Sequence, residues 1–167
     1  MNVERHTERL WFVAHTRSRC EKKLVQYCQR EQISATLACY KSVRRYRGKT
    51  VTFDRPLFPG YVFLHTTHSS RQKVAQNQYV ANVLTVPDQK LFESQLEAVM
   101  LSLQTDLEIR LAPHISEGRK VRVKSGALRG VEGFVEKRYG MTTILLRIDF
   151  IGQAAAIKLE ADDLELI

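Results

Sequence analysis

Apolar positions recur with different periods along the chain, and these periods predict its secondary structure. Residues 10–15 are dense in aromatic and β-branched side chains, which predicts a buried strand. A helical period of apolar positions follows, which predicts a helix at residues 18–32. Ser18 and Glu21 have the spacing of a capping box, in which two side chains bind free N–H groups at the start of a helix.

Residues 56–64 combine a rigid turn with an aromatic strand. The two prolines fix φ and Gly60 permits dihedral angles that other residues avoid, so we expect a shaped corner before the strand. Beyond the corner Tyr61, Phe63 and His65 share one face, and the opposite face is also apolar. The strand is therefore either buried on both faces or exposes one aromatic face to a partner.

The remaining periods of the first hundred residues complete an α+β pattern. Two extended segments at residues 36–53 flank a turn at residues 47–49, which predicts a β-hairpin. A helix at 69–76, a strand at 79–86 and a helix at 91–103 follow. This order indicates a ferredoxin-like antiparallel sheet with helices, although it does not determine the order of the strands in the sheet.

A second domain is predicted after the last helical period. We expect a first domain at residues 1–105 and a linker at 106–117, because the helical pattern is lost there and Pro113 follows. Short extended segments separated by glycines then predict a small β-barrel at residues 118–167.

Charge is divided unequally between these two parts. The 167-residue chain has a formal net charge of +8; residues 1–105 hold 16 Lys and Arg against 8 Asp and Glu, whereas residues 106–167 hold 10 against 10. A basic surface attracts nucleic-acid phosphates or an acidic protein surface. The first domain is thus expected to bind such a partner, with solubility alone as the alternative.

The basic residues of the first domain form two groups. One lies in the loop before the first helix and on the helix itself, and contains Arg17, Arg19, Lys22, Lys23 and Arg30. The other lies on the hairpin among aromatic residues, and contains Arg44, Arg45 and Arg47. Both groups suit nucleic-acid binding, since cations pair with phosphates and aromatic rings stack on bases. A solvated helix face and a hairpin edge protected by charge are the alternatives.

Several classes of function are disfavoured. Three cysteines without a CxxC pair predict a reducing, cytoplasmic location, and they offer no zinc site. The sequence contains no apolar run of membrane-spanning length and no GxSxG, Walker or HExxH motif. We therefore expect a monomeric protein that is not an enzyme, does not bind membranes and needs no metal or other cofactor.

Three segments of the chain, in the family's order and spacing, resemble the NusG family of transcription elongation factors. Residues 56–64, Pro-Leu-Phe-Pro-Gly-Tyr-Val-Phe-Leu, resemble the central motif of the family's N-terminal domain, and residues 10–16 resemble its first strand. Residues 118–133 resemble a KOW motif, which ribosomal proteins also contain. The resemblance covers nearly the whole chain and implies that residues 118–167 form an SH3-like KOW barrel.

This resemblance implies a factor that binds the clamp helices of the largest catalytic subunit of RNA polymerase and promotes processive elongation or antitermination. Its motif positions imply an apolar polymerase-binding depression that is lined by His15, Phe58, Tyr61 and Phe63. In RfaH-like specialised members, the basic loop and first helix also contact non-template DNA. The alternative is a KOW-containing protein that binds RNA or associates with the ribosome.

The KOW domain of the family recruits either the termination factor Rho or a small-subunit ribosomal protein. Phe150, Ile151 and Gly152 correspond to the loop used there, where Ile-Phe-Gly-Arg is typical. In this chain the aromatic and aliphatic residues are exchanged and Gln153 replaces the arginine. The recruiting loop of this chain therefore differs from the family pattern at three of its four positions.

Overall fold

The computed structural model describes residues 7–113, 118–138 and 141–167. Contacts divide the chain into two units, Met1–Lys90 and Leu91–Ile167, each with a sheet of its own. The described residues form three sheets, all of them antiparallel, and together with the helices they confirm the α+β class.

The described part of the first unit contains six strands and two complete helices. The strands are β1 (Leu10–Thr16), β2 (Ala35–Thr36), β3 (Cys39–Tyr46), β4 (Lys49–Pro56), β5 (Tyr61–Thr66) and β6 (Val80–Thr85). The helices are α1 (Glu21–Arg30) and α2 (His68–Ala75). A third helix, α3 (Gln89–Leu103), begins at the end of this unit and lies mostly in the second.

The first sheet has the strand order β2-β5-β1-β6. One face of β1 and β5 forms the main core with α1 and α2, which contains Phe12, Ala14, Leu24, Val62, Leu64 and Val74. Val13 and Phe63 pair on the other face and are also fully buried. At its centre β5 is therefore buried on both faces, whereas Tyr61 and His65, which lie on the same face as Phe63, are half-buried.

Strands β3 and β4 form a separate two-stranded sheet. Arg47 and Gly48, the turn residues between them, have φ values of +49° and +77°. Positive φ at both central positions is typical of a type I′ turn, whose twist matches that of paired strands. The hairpin predicted from the sequence is thereby confirmed.

The second unit contains a six-stranded sheet in its described residues, with the order β12-β8-β9-β10-β11-β7. Its strands are β7 (Ile109–Pro113), β8 (Arg119–Val123), β9 (Glu132–Arg138), β10 (Met141–Ile148), β11 (Gln153–Lys158) and β12 (Leu164–Leu166). Ala112, Leu145, Ala154 and Ala156 pack together in its core. This arrangement is consistent with a KOW-like β domain.

Strand β7 lies inside the range that was predicted to be a linker. It pairs with β11 from Ile109 opposite Ile157 to Pro113 opposite Gln153. Pro113 is tolerated because β7 is an edge strand. On its open side an edge strand has no neighbouring strand, so a missing N–H there removes no hydrogen bond of the sheet. Residues 114–117 lie outside the described residues, and the domain boundary at residue 105 stays a prediction, while the two units meet after Lys90.

The start of α1 differs from the prediction. Cys20 occupies the N-cap position without a side-chain hydrogen bond, so the capping box expected from Ser18 and Glu21 is wrong. Glu21 is buried and accepts a hydrogen bond from a different part of the chain, the N–H of Gly60. The helix ends at Arg30, and Gln32 has a φ of +57°, which does not continue a right-handed helix.

Candidate interaction surfaces

Gly60 forms a corner that is hydrogen-bonded on both sides. Its φ of +86° lies in the left-handed region that favours glycine. Its N–H donates to Glu21 Oε1 at 2.9 Å, and its carbonyl oxygen accepts the N–H of Thr16 at 2.8 Å. The corner expected from the sequence is thus present, and it ties the end of β1 and the start of α1 to the start of β5.

His15 and Tyr61 form an accessible aromatic pair at this corner. They are opposite each other in the register of β1 and β5, and their rings stack with centroids 5.2 Å apart and planes 21° apart. His15 is exposed and Tyr61 is half-buried. A Cβ atom on residue 60 would lie 3.4 Å from the His15 ring. Because glycine has no Cβ, nothing at position 60 presses against this ring.

Phe58 and Phe63, the other two residues of the predicted depression, are buried instead of exposed. Their exposed fractions are 1% and 0%, and their rings make an edge contact at 6.4 Å. Burial of each such side chain contributes about 1.5–3 kcal/mol to stability. In this conformation the two phenylalanines support the strand, and a partner would reach His15 and Tyr61.

The basic residues around α1 divide between the two ends of the helix. Arg17, Arg19, Lys22, Lys23 and Arg30 are all exposed. Lys22 donates to the carbonyl oxygen of Asp54 in β4, and the Lys23 ammonium lies 5.8 Å from the Tyr79 ring. Because a helix rises 1.5 Å per residue, Arg30 is about 12 Å farther along the axis than Lys22. Four of these cations thus lie in the loop before α1 or in its first turn, and the fifth lies at the end of the helix.

The three hairpin arginines occupy different positions. Arg44 is opposite Val51 and Arg45 is opposite Thr50, so their side chains point to opposite faces of the ribbon. Arg47 lies in the turn, with its guanidinium 5.6 Å from the ring of Tyr46. All three arginines are exposed, but they do not form one cluster.

The loop predicted to recruit a KOW partner contacts α3. It is a short 3-10 helix at Asp149–Ile151, and Gly152 follows with a φ of +63°. The Gln95 amide donates to Asp149 Oδ2 at 2.7 Å and accepts the N–H of Asp149 at 3.0 Å. The rings of Phe92 and Phe150 also meet edge to face at 6.4 Å. Sequence reasoning missed Phe92 and Gln95, because only the fold brings them to the loop.

Ion pairs link exposed charges on the second sheet. Glu132 lies 2.9 Å from Lys120 and 2.8 Å from Arg122, and Arg122 also lies 3.6 Å from Glu165. Hydrogen bonds from Lys120 and Arg122 hold the pKa of Glu132 below its usual value. Part of this unit's balanced charge is therefore neutralised within the sheet.

The three cysteines are free thiols, and one of them is deeply buried. Cys20, Cys28 and Cys39 are free thiols, and burial raises the pKa of Cys28 to about 11. A high pKa keeps the thiol protonated, and therefore a poor nucleophile and metal ligand, at neutral pH. Within the described residues, no group of three or more His, Cys, Asp or Glu side chains is placed to hold a metal ion.

Among the described residues, no helix has both the length and the apolar character needed to cross a membrane.

Comparison with known proteins identifies one family. The family model described as "Transcription termination factor nusG" matches residues 9–98, and no curated protein matches the chain. The solved structure "Domain interaction in Thermotoga maritima NusG" is 16% identical, with a TM-score of 0.52 over 96% of this chain and 98% of that one, which shows a shared fold. The structure "Crystal Structure of MjSpt4:Spt5 complex conformation B" is 18% identical over 95% of this chain and 97% of that one, with a TM-score of 0.33. Since the family model covers more than half of its length, the chain belongs to the NusG family of transcription factors, which are not enzymes.

Proposed function

We propose that this protein binds RNA polymerase and promotes processive elongation or antitermination, and that the clamp helices of the largest catalytic subunit are its partner. The observation that carries the proposal is the stacked pair of His15 and Tyr61 at the Gly60 corner. Accessible aromatic side chains that are fixed by their neighbours are typical binding hot spots, because little conformational entropy is lost when a partner covers them.

Phe58 and Phe63 have a supporting role in this proposal. Both rings are buried in the strand and corner that present Tyr61. Packing from such neighbours restricts the Tyr61 side chain before binding, which lowers the entropic cost of association. Substitution of either phenylalanine would therefore reduce stability as well as binding.

Contact with non-template DNA is proposed for the basic group around α1, together with the hairpin arginines. Arg17, Arg19, Lys22 and Lys23 lie on exposed surface at one end of the helix. Phosphate contact requires only positive charge within reach and carries no sequence preference.

Recruitment of a further factor, Rho or a small-subunit ribosomal protein, is proposed for the loop at Phe150, Ile151 and Gly152. The first two residues are half-buried and Gly152 is exposed. Because Gln95 and Phe92 contact the loop, a recruited partner must either bind the loop together with α3 or displace this helix from it.

The test is retention of core RNA polymerase by the immobilised full-length chain. His15→Ala and Tyr61→Ala should each weaken binding by about tenfold or more, the effect of losing one hot-spot residue. His65→Ala is the matched control, because His65 also stacks on an aromatic ring, that of Trp11, at the other end of the same pair of strands. Unchanged retention by folded His15→Ala and Tyr61→Ala variants would refute the proposed site.

The alternative, a KOW-containing RNA-binding or ribosome-associated protein, predicts a different result. It requires tight RNA binding in the absence of polymerase, with a steep dependence on salt, and no effect of Tyr61→Ala. Absence of polymerase retention by the folded chain together with such RNA binding would favour this alternative.

A further inference from the structure

One face of the β3–β4 hairpin exposes aromatic side chains to solvent. Residues that are opposite each other in an antiparallel pair share a face, and every second residue belongs to it. The register places one set of eight residues together, here called the aromatic face: Tyr40, Ser42, Arg44, Tyr46, Lys49, Val51, Phe53 and Arg55. The exposed fractions of Tyr46, Phe53 and Val51 are 67%, 47% and 36%. Exposed apolar side chains that lie next to one another are typical of interaction surfaces.

Each aromatic ring of this face has a cation as its cross-strand neighbour. Lys49 is directly opposite Tyr46, and Arg55 is directly opposite Tyr40. Phe53 is opposite Ser42, so Arg44 is its diagonal neighbour at about 7–8 Å between Cα atoms. The alternation of ring and cation is therefore repeated along the face.

The ribbon as a whole is strongly basic. Residues 41–55 contain six Lys and Arg, and Asp54 is their one acidic residue. Among the described residues, none of these six cations forms an ion pair with a carboxylate. An open pocket of about 630 Å³ lies on the ribbon. Five of its seven lining residues belong to the aromatic face, namely Arg44, Tyr46, Val51, Phe53 and Arg55, and the other two, Arg45 and Asp54, belong to the opposite face.

We infer that the aromatic face binds single-stranded nucleic acid, with bases stacked on Tyr46, Phe53 and Tyr40 and phosphates paired with Lys49, Arg44 and Arg55. Repeated units of ring and cation match the repeated units of base and phosphate in a single strand. In a duplex the faces of the bases are covered by their neighbours, so exposed rings would gain nothing there. An acidic protein surface would use the cations but would leave the flat rings without matched partners.

This inference deepens the nucleic-acid contact proposed above and changes which residues make it. Arg45 points to the opposite face, together with Lys41, Val43, Thr50 and Thr52. Arg44 and Arg45 are therefore adjacent in sequence and equal in charge, but only Arg44 lies among the rings. The pair provides a matched comparison of one face with the other.

The test is fluorescence anisotropy of the full-length chain with labelled oligo(dT) and oligo(rU) of about fifteen nucleotides, near the upper end of the site sizes of small β domains. Phe53→Ala and Tyr46→Ala should each weaken binding by about 5- to 30-fold without changing the salt dependence, because the rings carry no charge. Val43→Ala, at an exposed apolar residue of the opposite face, should change affinity by less than about twofold. Phe53→Tyr, which keeps a stacking ring, should restore binding.

The charged residues give an independent readout. Arg44→Gln should reduce the slope of log K against log salt by about 0.7, the contribution of one phosphate contact on a single strand, and should reduce it more than Arg45→Gln does. Equal losses for Arg44→Gln and Arg45→Gln, with none for Phe53→Ala, would overturn the inference in favour of diffuse charge attraction. Equal affinity for a duplex of the same length would also overturn it.

Measurement of polymerase retention on the same variants separates this inference from the proposed function. Phe53→Ala should leave retention of core RNA polymerase intact, since His15 and Tyr61 are unchanged. Loss of polymerase retention without loss of oligonucleotide binding would instead assign the aromatic face to a protein partner. Circular dichroism and the melting temperature check that each variant is folded.

Discussion

At the scale of single residues, the corner at Gly60 is held by the carboxylate of Glu21, for which the sequence pattern predicted a capping role. The spacing of Ser18 and Glu21 predicted a capping box, yet Glu21 is buried and binds Gly60, which is 39 residues away. A local pattern could not reveal this bond, because α1 and the corner meet only in the folded chain. The conformation of Gly60 itself could be predicted, since its neighbours Pro59 and Pro56 already restrict the turn.

We predict that Glu21→Ala destabilises the protein by about 1–3 kcal/mol, because it leaves the N–H of Gly60 without an acceptor in a partly buried place. Glu21→Gln keeps an acceptor oxygen and should cost less. Urea unfolding measures both changes. Glu31, at the exposed C-cap of the same helix, provides the control, and Glu31→Ala should stay within about 0.5 kcal/mol of the parent. A cost for Glu21→Ala no larger than the control's would show that the bond does not stabilise the corner.

At the scale of elements, periodicity located most helices and strands of the first unit but could not place them in the sheet. The alternation from Tyr61 predicted β5, and the turn at Gly48 predicted the hairpin. The order β2-β5-β1-β6 follows from pairings between strands far apart in sequence, about which a local period carries no information. Strand β7 was missed because Pro113 indicates a break in a central strand, whereas at a sheet edge it is allowed.

The candidate site, too, could be predicted from the sequence only in part. The family motif indicated Tyr61 and His15 as candidates, and the structure places their rings in contact near the surface. The pattern could not distinguish them from Phe58 and Phe63, whose burial depends on the packing of the corner against the strand. The opposite faces of Arg44 and Arg45 follow from the register of the hairpin, which the position of the turn alone could have supplied.

The two hydrogen bonds between Gln95 of α3 and Asp149 give a prediction about the loop at residues 149–152. Gln95→Ala removes two hydrogen bonds, so we expect the amide of Asp149 to exchange with solvent about tenfold faster and the unit to lose about 1 kcal/mol of stability. Hydrogen exchange with mass spectrometry measures the first effect. Gln104→Ala, at an exposed glutamine just after α3, should change neither quantity. Unaltered exchange at Asp149 in Gln95→Ala would mean that other contacts hold the loop.

At the scale of the whole molecule, the location of charge is more informative than its sum. The formal net charge is +8, but residues 106–167 contribute 10 cations and 10 anions, and several of these form ion pairs on the second sheet. The excess therefore belongs to residues 1–105, where exposed cations surround the start of α1 and the hairpin. A charged partner should respond to this distribution and not to the net charge.

Two double substitutions with equal effects on net charge test this idea. Arg17→Gln with Arg19→Gln removes two exposed cations of the first unit, and Lys124→Gln with Arg129→Gln removes two from the second, so each variant falls from +8 to +6. If the basic group around α1 contacts phosphates, the first variant should lose up to about 1.4 from the slope of log K against log salt on a labelled single strand, whereas the second should keep the parent slope. Titrations at several salt concentrations give both slopes. An equal fall in the two variants would mean that nucleic acid responds to the overall charge of the protein and not to the location of the charged residues.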